Sequence, residues 1–555
     1  MKRKIALLII LSLLLVIPSG CGDKTEIVSE KVDRPATSAD ADEEKEDKSK
    51  VGKASVEETS SVSDNEDSGR FRLVRTYFDQ SKYTENGGYV YFQSFGNHIL
   101  CSLETETAYP KLAKALRDLS EKEEKDFKSE IKEFDRDAFE YEESIRATGG
   151  VGYYYHYADD LLKRADEKCV SIVRVLNGYL GGAHPDFYYD TYNFDPSTGE
   201  RIALSDVIAD KEKLNGILEQ KLLEDYPEVE FFGLKDSLSE YDMTALKNTE
   251  EETEENTVAY DFSLDPDGIS FYFSPYGISA YAYGDQVVKI LYDEEPSLFI
   301  KDFSYKGPYI SYLTDMDNKY GTGSTAEKIR VERDDYDEND YFQSINVVKG
   351  KQELKIDDLY YFSQTSFIAD NVNDRKFVYI LGNMDNDYKE LFAVDMNGKS
   401  PEKVEFDSDI SYTYSDYYDE ASGIYGVVLP LYADDMELGI RCALLSTYVA
   451  KGHFEVLDNG GLKLKDRYLT IPEDIFVITS KQDMKADIVD EDGMVKDRDV
   501  SIPKGSEFTL FRTDGVRIVD AKLDDGRIVR LNVEENKVNG TADAENLFDG
   551  MMFAG

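Results

Sequence analysis

Tyrosine and phenylalanine alternate with polar residues along most of this chain, and that two-residue period constrains its fold more than any other feature. FRLVRTYFDQ, GGYVYFQSFGNHILCSLET and HPDFYYDTYNFD all show it. Successive side chains on a strand point to opposite faces, so each segment reads as a strand with one face in a core. The chain holds 40 Tyr, 28 Phe and no Trp, and 41% of it is apolar, which is surface enough for sizeable cores. Asp-Gly, Asn-Gly and Pro-Tyr-Gly steps between the runs supply the turns.

Two stretches break the period. AYPKLAKALRDLSEKEEKDFKSEIKEFDRDAFEYEESIRATGG repeats Leu112, Leu116, Leu119, Phe127 and Ile131 at helical spacing and stops at Gly149 and Gly150. LSDVIADKEKLNGILEQKLLEDY predicts a second helix with Ser205 as its N-cap. A chain of 555 residues exceeds one ordinary domain. Strands around helices predict an α+β subdomain over 71–180 and an α+β domain over 181–305. Beyond about residue 305 helical spacing nearly vanishes. Residues 306–465 read as a mostly-β domain, and 466–555 as a small β-barrel-like domain with SH3-like strand spacing.

The N-terminus speaks to location. MKRK is a basic segment, IALLIILSLLLVI is an apolar run, and PSGC brings small residues up to Cys21. The run falls short of the roughly 20 residues that span a bilayer. Residues 1–21 are similar to a bacterial lipoprotein signal peptide, with Cys21 as the lipidated residue and a lipid anchor on the extracytoplasmic face of the cell membrane. Residues 22–70 hold no aromatics and many Ser, Asp, Glu and Lys, a composition expected to stay disordered as an acidic tether.

The formal charge is −49, from 113 acidic and 64 basic residues. A field of that sign repels nucleic acid and favours cationic partners. GxSxG, HExxH, GxGxxG and the P-loop pattern are absent, and no Cys or His spacing suits zinc, so no cofactor or metal is expected. SEIK at Ser129–Lys132 matches an SxxK element, but SDN at Ser63–Asn65 precedes it and KTG is missing. DMDN at Asp315–Asn318 and NMDND at Asn383–Asp387 are acidic turns without the glycine and glutamate of an EF-hand loop. Cys101 and Cys169 fall in one predicted subdomain, where a bridge between them is one option. His98, His156, His184 and His453 are isolated in sequence. His184 stands out, because Gly181-Gly182 permits a tight bend and Pro185 fixes the exit. Tyrosines cluster in YYYHY, FYYDTYNF, FYFSPYGISAYAYG and YTYSDYYDE. Exposed rings among carboxylates suit a cationic protein or a stacked sugar chain.

GGAHPDFYYDTYNFDPSTGERIALSDVI, followed by DGISFYFSPYGISAYAYGDQVVKI, resembles the extracytoplasmic domain shared by RsiV-type anti-sigma factors and PdaC-type peptidoglycan deacetylases. The carriers are Gly-Gly-Ala-His-Pro, Phe-Asp-x-x-Thr-Gly, Leu-x-Asp-Val and Phe-Ser-Pro-Tyr-x-Ile-x-x-Tyr-Ala-x-Gly, within about residues 75–300. The resemblance implies a small α+β domain outside a Gram-positive cell. In the anti-sigma relatives such a domain recognises lysozyme, a basic protein; in the deacetylases it accompanies a catalytic domain. The deacetylase metal motif Asp/His-x-x-x-His is absent here. The expected function is a membrane-anchored, non-enzymatic lipoprotein that binds a cationic protein such as lysozyme, or a cell-wall glycan. Tyr153, Tyr155, His184, Tyr188, Tyr276 and Tyr281 are the candidate ligand-binding residues. The alternatives are a cell-wall-modifying hydrolase using His184 and nearby carboxylates, and an envelope scaffold.

Overall fold

The computed structural model describes residues 70–85, 90–148, 152–179, 183–246, 258–313, 318–320, 327–336, 342–361, 363–383, 389–406, 411–472 and 476–553. Cys21 and residues 22–69 of the tether lie outside the described residues.

The first sheet begins with β1 (Leu73–Glu85) and β2 (Val90–Cys101), antiparallel, with Leu73 opposite Cys101. A short α1 (Leu103–Ala108) and the long α2 (Pro110–Thr148) follow. Pro110 suits a first helical turn, whose N–H groups lack partners in any case. Leu112, Ala113, Leu116 and Phe127 face inward, as their spacing predicts. The helix crosses over so that β3 (Gly152–Asp166) lies parallel to β2, with Val90 opposite Gly152. A parallel pair needs such a crossover. Strands β4 (Cys169–Tyr179) and β5 (Asp186–Phe194) then add antiparallel.

The other edge of this sheet is closed from far downstream. The hairpin of strands Asp416–Asp419 and Ile424–Val428 pairs with β1 at Val74, Arg75 and Thr76, giving a seven-stranded sheet. Gly426 permits the approach, since a Cβ there would lie 2.2 Å from Arg75 O.

A second layer lies beyond β5. Helix α3 (Lys211–Asp225) buries Leu214, Leu218 and Leu222. They share a core with Leu264, Ile269, Phe271, Val288 and Ile290, among others. Those strand residues belong to β8 (Asp261–Leu264), β9 (Gly268–Phe273) and β10 (Gln286–Leu291). The helix α4 (Leu234–Ser239) and the short parallel pair β6 (Tyr241–Asp242) and β7 (Val258–Ala259) precede them. The cap differs from expectation. Asp210, not Ser205, accepts from Lys213 N at 2.9 Å. Residues Leu204–Asp206 form a 3-10 turn, in which Asp206 bonds back to Ala203 N and Ile208 pairs with Phe299. Burial of Val207 and Ile208 holds that turn apart from the helix.

From residue 309 onward the molecule is mostly β. Apart from the hairpin on β1, a five-stranded sheet, a four-stranded sheet and a fourteen-stranded sheet account for these strands, and the last runs on both sides of residue 465. Its strand order does not show the SH3-like barrel expected for 466–555. One core cluster extends from Leu73 and Leu112 through Tyr312, Phe367 and Leu438 to Phe548. Cys101 and Cys169 are buried free thiols and not a disulfide, because Cys101 faces that cluster and Cys169 the α3 core.

A buried polar layer joins the first sheet to its neighbours. Arg164 donates to Asp166, to Asp265 O and to Phe303 O. Lys289 Nζ lies 3.1 Å from Asp265 and 2.5 Å from Asp267. Lys163, wholly buried, donates to Tyr312 O at 2.8 Å. Burial lowers the Lys163 ammonium from 10.5 to about 8, against the opposing pull of Asp265. Between those values the unfolded chain holds a proton that the folded chain has lost, so stability rises with pH across that window. Lys163→Met removes this rise. Its stability relative to the parent should fall by on the order of 2–3 kcal/mol between pH 7 and 10.5. Thermal denaturation of both proteins checks it, and parallel pH profiles would refute it.

Candidate functional site

Strand alternation sorts the residues at the end of β3. His156 faces α2, where its ring lies 4.6 Å from that of Phe127 and Nε2 lies 3.1 Å from Glu130. Tyr155 and Tyr157 face the other way, buried, with rings 5.0 Å apart. Phe95, Tyr179 and Tyr281 pack against them. The chain returns from β4 to β5 through His184, just before Pro185. The His184 ring stacks on Tyr281 at 4.0 Å and 20°. Its Nε2 lies 3.3 Å from the Tyr276 hydroxyl, and Tyr276 and Tyr281 are 5.5 Å apart.

The two tyrosines come from tight turns. Tyr276 has a left-handed backbone (φ 68°) within Ser-Pro-Tyr-Gly, closed by Gly277 N donating to Ser274 O. A non-glycine residue there is strained, and such strain often marks a working site. Tyr281–Tyr283 form a 3-10 turn, and Gly284, at φ 69°, ends it. Strand alternation therefore does not apply to Tyr281 and Tyr283.

The sequence-predicted residues divide as follows. His184, Tyr276 and Tyr281 meet, with Tyr155 beneath them. Tyr188 points to the opposite face, beside Phe127, Ala158 and Leu176. Burial, then Glu130, raise its hydroxyl pKa. It belongs to the α2 interface and not to the ring cluster, because it sits one strand position out of phase with Phe187 and Tyr189. Tyr153 lies on β3 opposite Tyr91, and its side chain is outside the described residues. Asp315, Asp317, Asp385 and Asp387 of the acidic turns are also outside them. Among the described residues no group of three or more His, Cys, Asp or Glu side chains could hold a metal ion.

Asp186 is the addition that only three dimensions reveal. It opens β5 opposite Gly178, and the field of His184, His156 and Glu130 reaches it. Its Oδ1 and the Nδ1 of His184 are buried with no hydrogen-bond partner among the described residues. Burial raises its carboxyl from 3.8 to about 6, against the pull of the two histidines. Burial also pushes the Tyr281 hydroxyl up to about 12, so it stays neutral.

Outside the ring cluster the surface is aromatic and acidic. Phe232 N donates to Ile278 O at 2.9 Å, and Phe231 pairs with Ser279, which lays the 226–233 segment beside the Tyr276 turn. Phe232, Tyr276 and Tyr283 are 53%, 50% and 36% exposed. Glu228 and Glu230 are exposed on the same segment, and neither 225–234 nor 274–285 contains Lys or Arg.

Residues 205–293 match a protein-family model described as a protein of unknown function (DUF3298). The match includes Tyr276 and Tyr281 but begins after His184. A crystal structure of a DUF3298 family member from Bacteroides fragilis is 19% identical, covering 42% of this chain and 95% of that one, with a TM-score of 0.30. A DUF3298 family protein from Pseudomonas aeruginosa is 14% identical, with the same coverages and a TM-score of 0.27. No curated protein gives a significant match.

A folded carboxyl raised above its free value favours the protonated state. Its stabilising contribution is complete below pH 3.8 and lost as pH rises through about 6. Asp186→Asn should therefore stabilise the protein at pH 7 by about 1 kcal/mol, after allowance for partial exposure, and give no gain at pH 3.5. Denaturation midpoints at the two pH values measure it; equal effects at both would contradict the assignment.

Proposed function

We propose that this chain is a lipid-anchored extracytoplasmic binding protein of the RsiV/PdaC-like type, and that its His184–Tyr276–Tyr281 face captures a cationic protein such as lysozyme. One observation carries the reading: half-exposed rings on two adjoining segments, 225–234 and 274–285, that carry carboxylates and no Lys or Arg. Arg and Lys side chains gain from aromatic faces and from carboxylates together. The strained backbone of Tyr276 supports it. The formal charge of −49 adds long-range attraction.

The N-terminal pattern supports attachment through Cys21, with 22–70 as the spacer. A second reading has one observation in its favour. Asp186, titrating near 6 beside an imidazole, has the pKa of a working acid–base group, which a cell-wall hydrolase would use.

Binding of lysozyme to the full chain should weaken steeply between low and physiological salt. Tyr276→Ala with Tyr281→Ala should weaken it about tenfold or more. Titration calorimetry reads both, and salt-independent binding, or none, would defeat the reading. Turnover of peptidoglycan fragments, abolished by His184→Ala in a folded protein, would favour the hydrolase instead. Cys21→Ser should move the protein from the membrane to the soluble fraction; continued membrane retention would remove the anchor.

A further inference from the structure

The five-stranded sheet carries a charged cavity at one end, on strands that supply nothing to the His184 face. Strands Lys376–Asn383, Lys389–Asp395 and Glu402–Val404 run side by side, with Asp395 opposite both Phe377 and Glu402. Residues directly opposite one another share a face of the sheet, so Asp395 and Glu402 project together. Arg375, two residues before Phe377, joins them. With Asn397 and Gly398 they line a cavity of about 470 Å³. That volume suits a small molecule.

The charges of this cavity are pinned on one side and free on the other. Arg375 Nη2 donates to Asp395 Oδ2 at 2.8 Å. Asp395 Oδ1 accepts from Asn397 N and Nδ2 at 2.8 and 2.7 Å. Asn397 is held in turn by Lys376 N and Lys376 O, each at 3.0 Å. This chain of bonds keeps Arg375 in place, yet its Nη1 has no partner among the described residues. Glu402, which is exposed, has no side-chain partner among them either. Like carboxylates directly opposite one another cost stability, so Glu402 beside Asp395 is in want of a cation. The neighbouring charges are engaged elsewhere. Lys376 pairs with Asp370, Lys403 Nζ lies 5.6 Å from the Phe392 ring centre, and Asp458 accepts from Asn371 and Asn373 at 3.0 and 2.8 Å. Arg375 and Glu402 therefore line one cavity without forming an ion pair with each other. A molecule that carries both opposite charges fits such a gap.

We propose that this cavity binds a small zwitterion of the α-amino-acid type. Its carboxylate accepts from Arg375 Nη1, and its ammonium donates to Glu402. Arg375 is already held by Asp395, so part of the ordering cost of binding is met before the ligand arrives. Asp395 is a positioning residue and does not touch the ligand. The site shares no residue with the His184 face, so either can stand without the other.

The test uses the full chain, with L-alanine, N-acetyl-L-alanine and L-alanine amide as probes. Titration calorimetry at low salt should show L-alanine bound with a Kd of about 1 mM or below. The two blocked analogues each lack one charge and should bind about tenfold or more weakly. Glu402→Gln removes a carboxylate that has no partner in the fold. It should leave the thermal midpoint in place and weaken L-alanine about tenfold, while His184→Ala leaves the affinity unchanged. Arg375→Gln should weaken binding as far; if that variant loses thermal stability through Asp395, Glu402→Gln decides. No binding of L-alanine up to about 10 mM, a blocked analogue that binds as well as L-alanine, full affinity in Glu402→Gln, or loss of affinity in His184→Ala would each overturn the proposal.

Discussion

The buried guanidinium of Arg164 ties together three parts of the chain that lie far apart in sequence. It grips Asp166 on its own strand, Asp265 O at the β8–β9 turn and Phe303 O after β10. Removing one partner of a buried ion pair costs roughly 3–5 kcal/mol, because the other charge is left without compensation. Lys289 with Asp265 and Asp267, and Lys163 with Tyr312 O, extend the same layer. This layer, with Tyr189 and Val173 packed on Tyr272 and Val287, fixes the second sheet against the first. That placement brings the turns after β9 over Tyr155 and Tyr157, and so assembles the ring cluster.

Much of this architecture is legible in local spacing. The two-residue period marks β1 to β5, and the heptad-like Leu112, Leu116 and Phe127 mark α2, since each pattern reports a face buried in one sheet or groove. What was not legible depends on partners distant in sequence. Ser205 resembles an N-cap, but burial of Val207 and Ile208 against the Phe299 region makes a separate turn. SAYAYG has strand composition, but Gly284 and the packing of Tyr281 on β3 wind it into a 3-10 turn. Residues 416–428 fall within the mostly-β region read for 306–465, and nothing local to them points to β1.

The candidate site was legible in proportion to its backbone chemistry. Gly-Gly, Pro185 and the Pro-Tyr-Gly turn flagged His184 and Tyr276, because unusual conformations need those residues. Tyr188 was misplaced within a correct strand, since alternation gives two faces without saying which one the helix covers. Asp186 was missed because carboxylates are so abundant that none stands out. Its position two residues after His184 at the start of a strand was the available signal. Phe232 looked like an ordinary apolar residue, and only its hydrogen-bonded alignment with Ile278 puts it beside the tyrosines.

The pairing of Ile424–Val428 with β1 also has a consequence for how the chain comes to be folded. Synthesis delivers β1 long before the hairpin that seals it, and until then the N-terminal sheet ends on a bare strand. The closeness of Gly426 to Arg75 O leaves little latitude for a substitute. A product cut short just upstream of residue 416, by premature termination or by a protease, would therefore lose more than its last quarter. It would keep an N-terminal sheet with an unpaired β1 edge, prone to self-association.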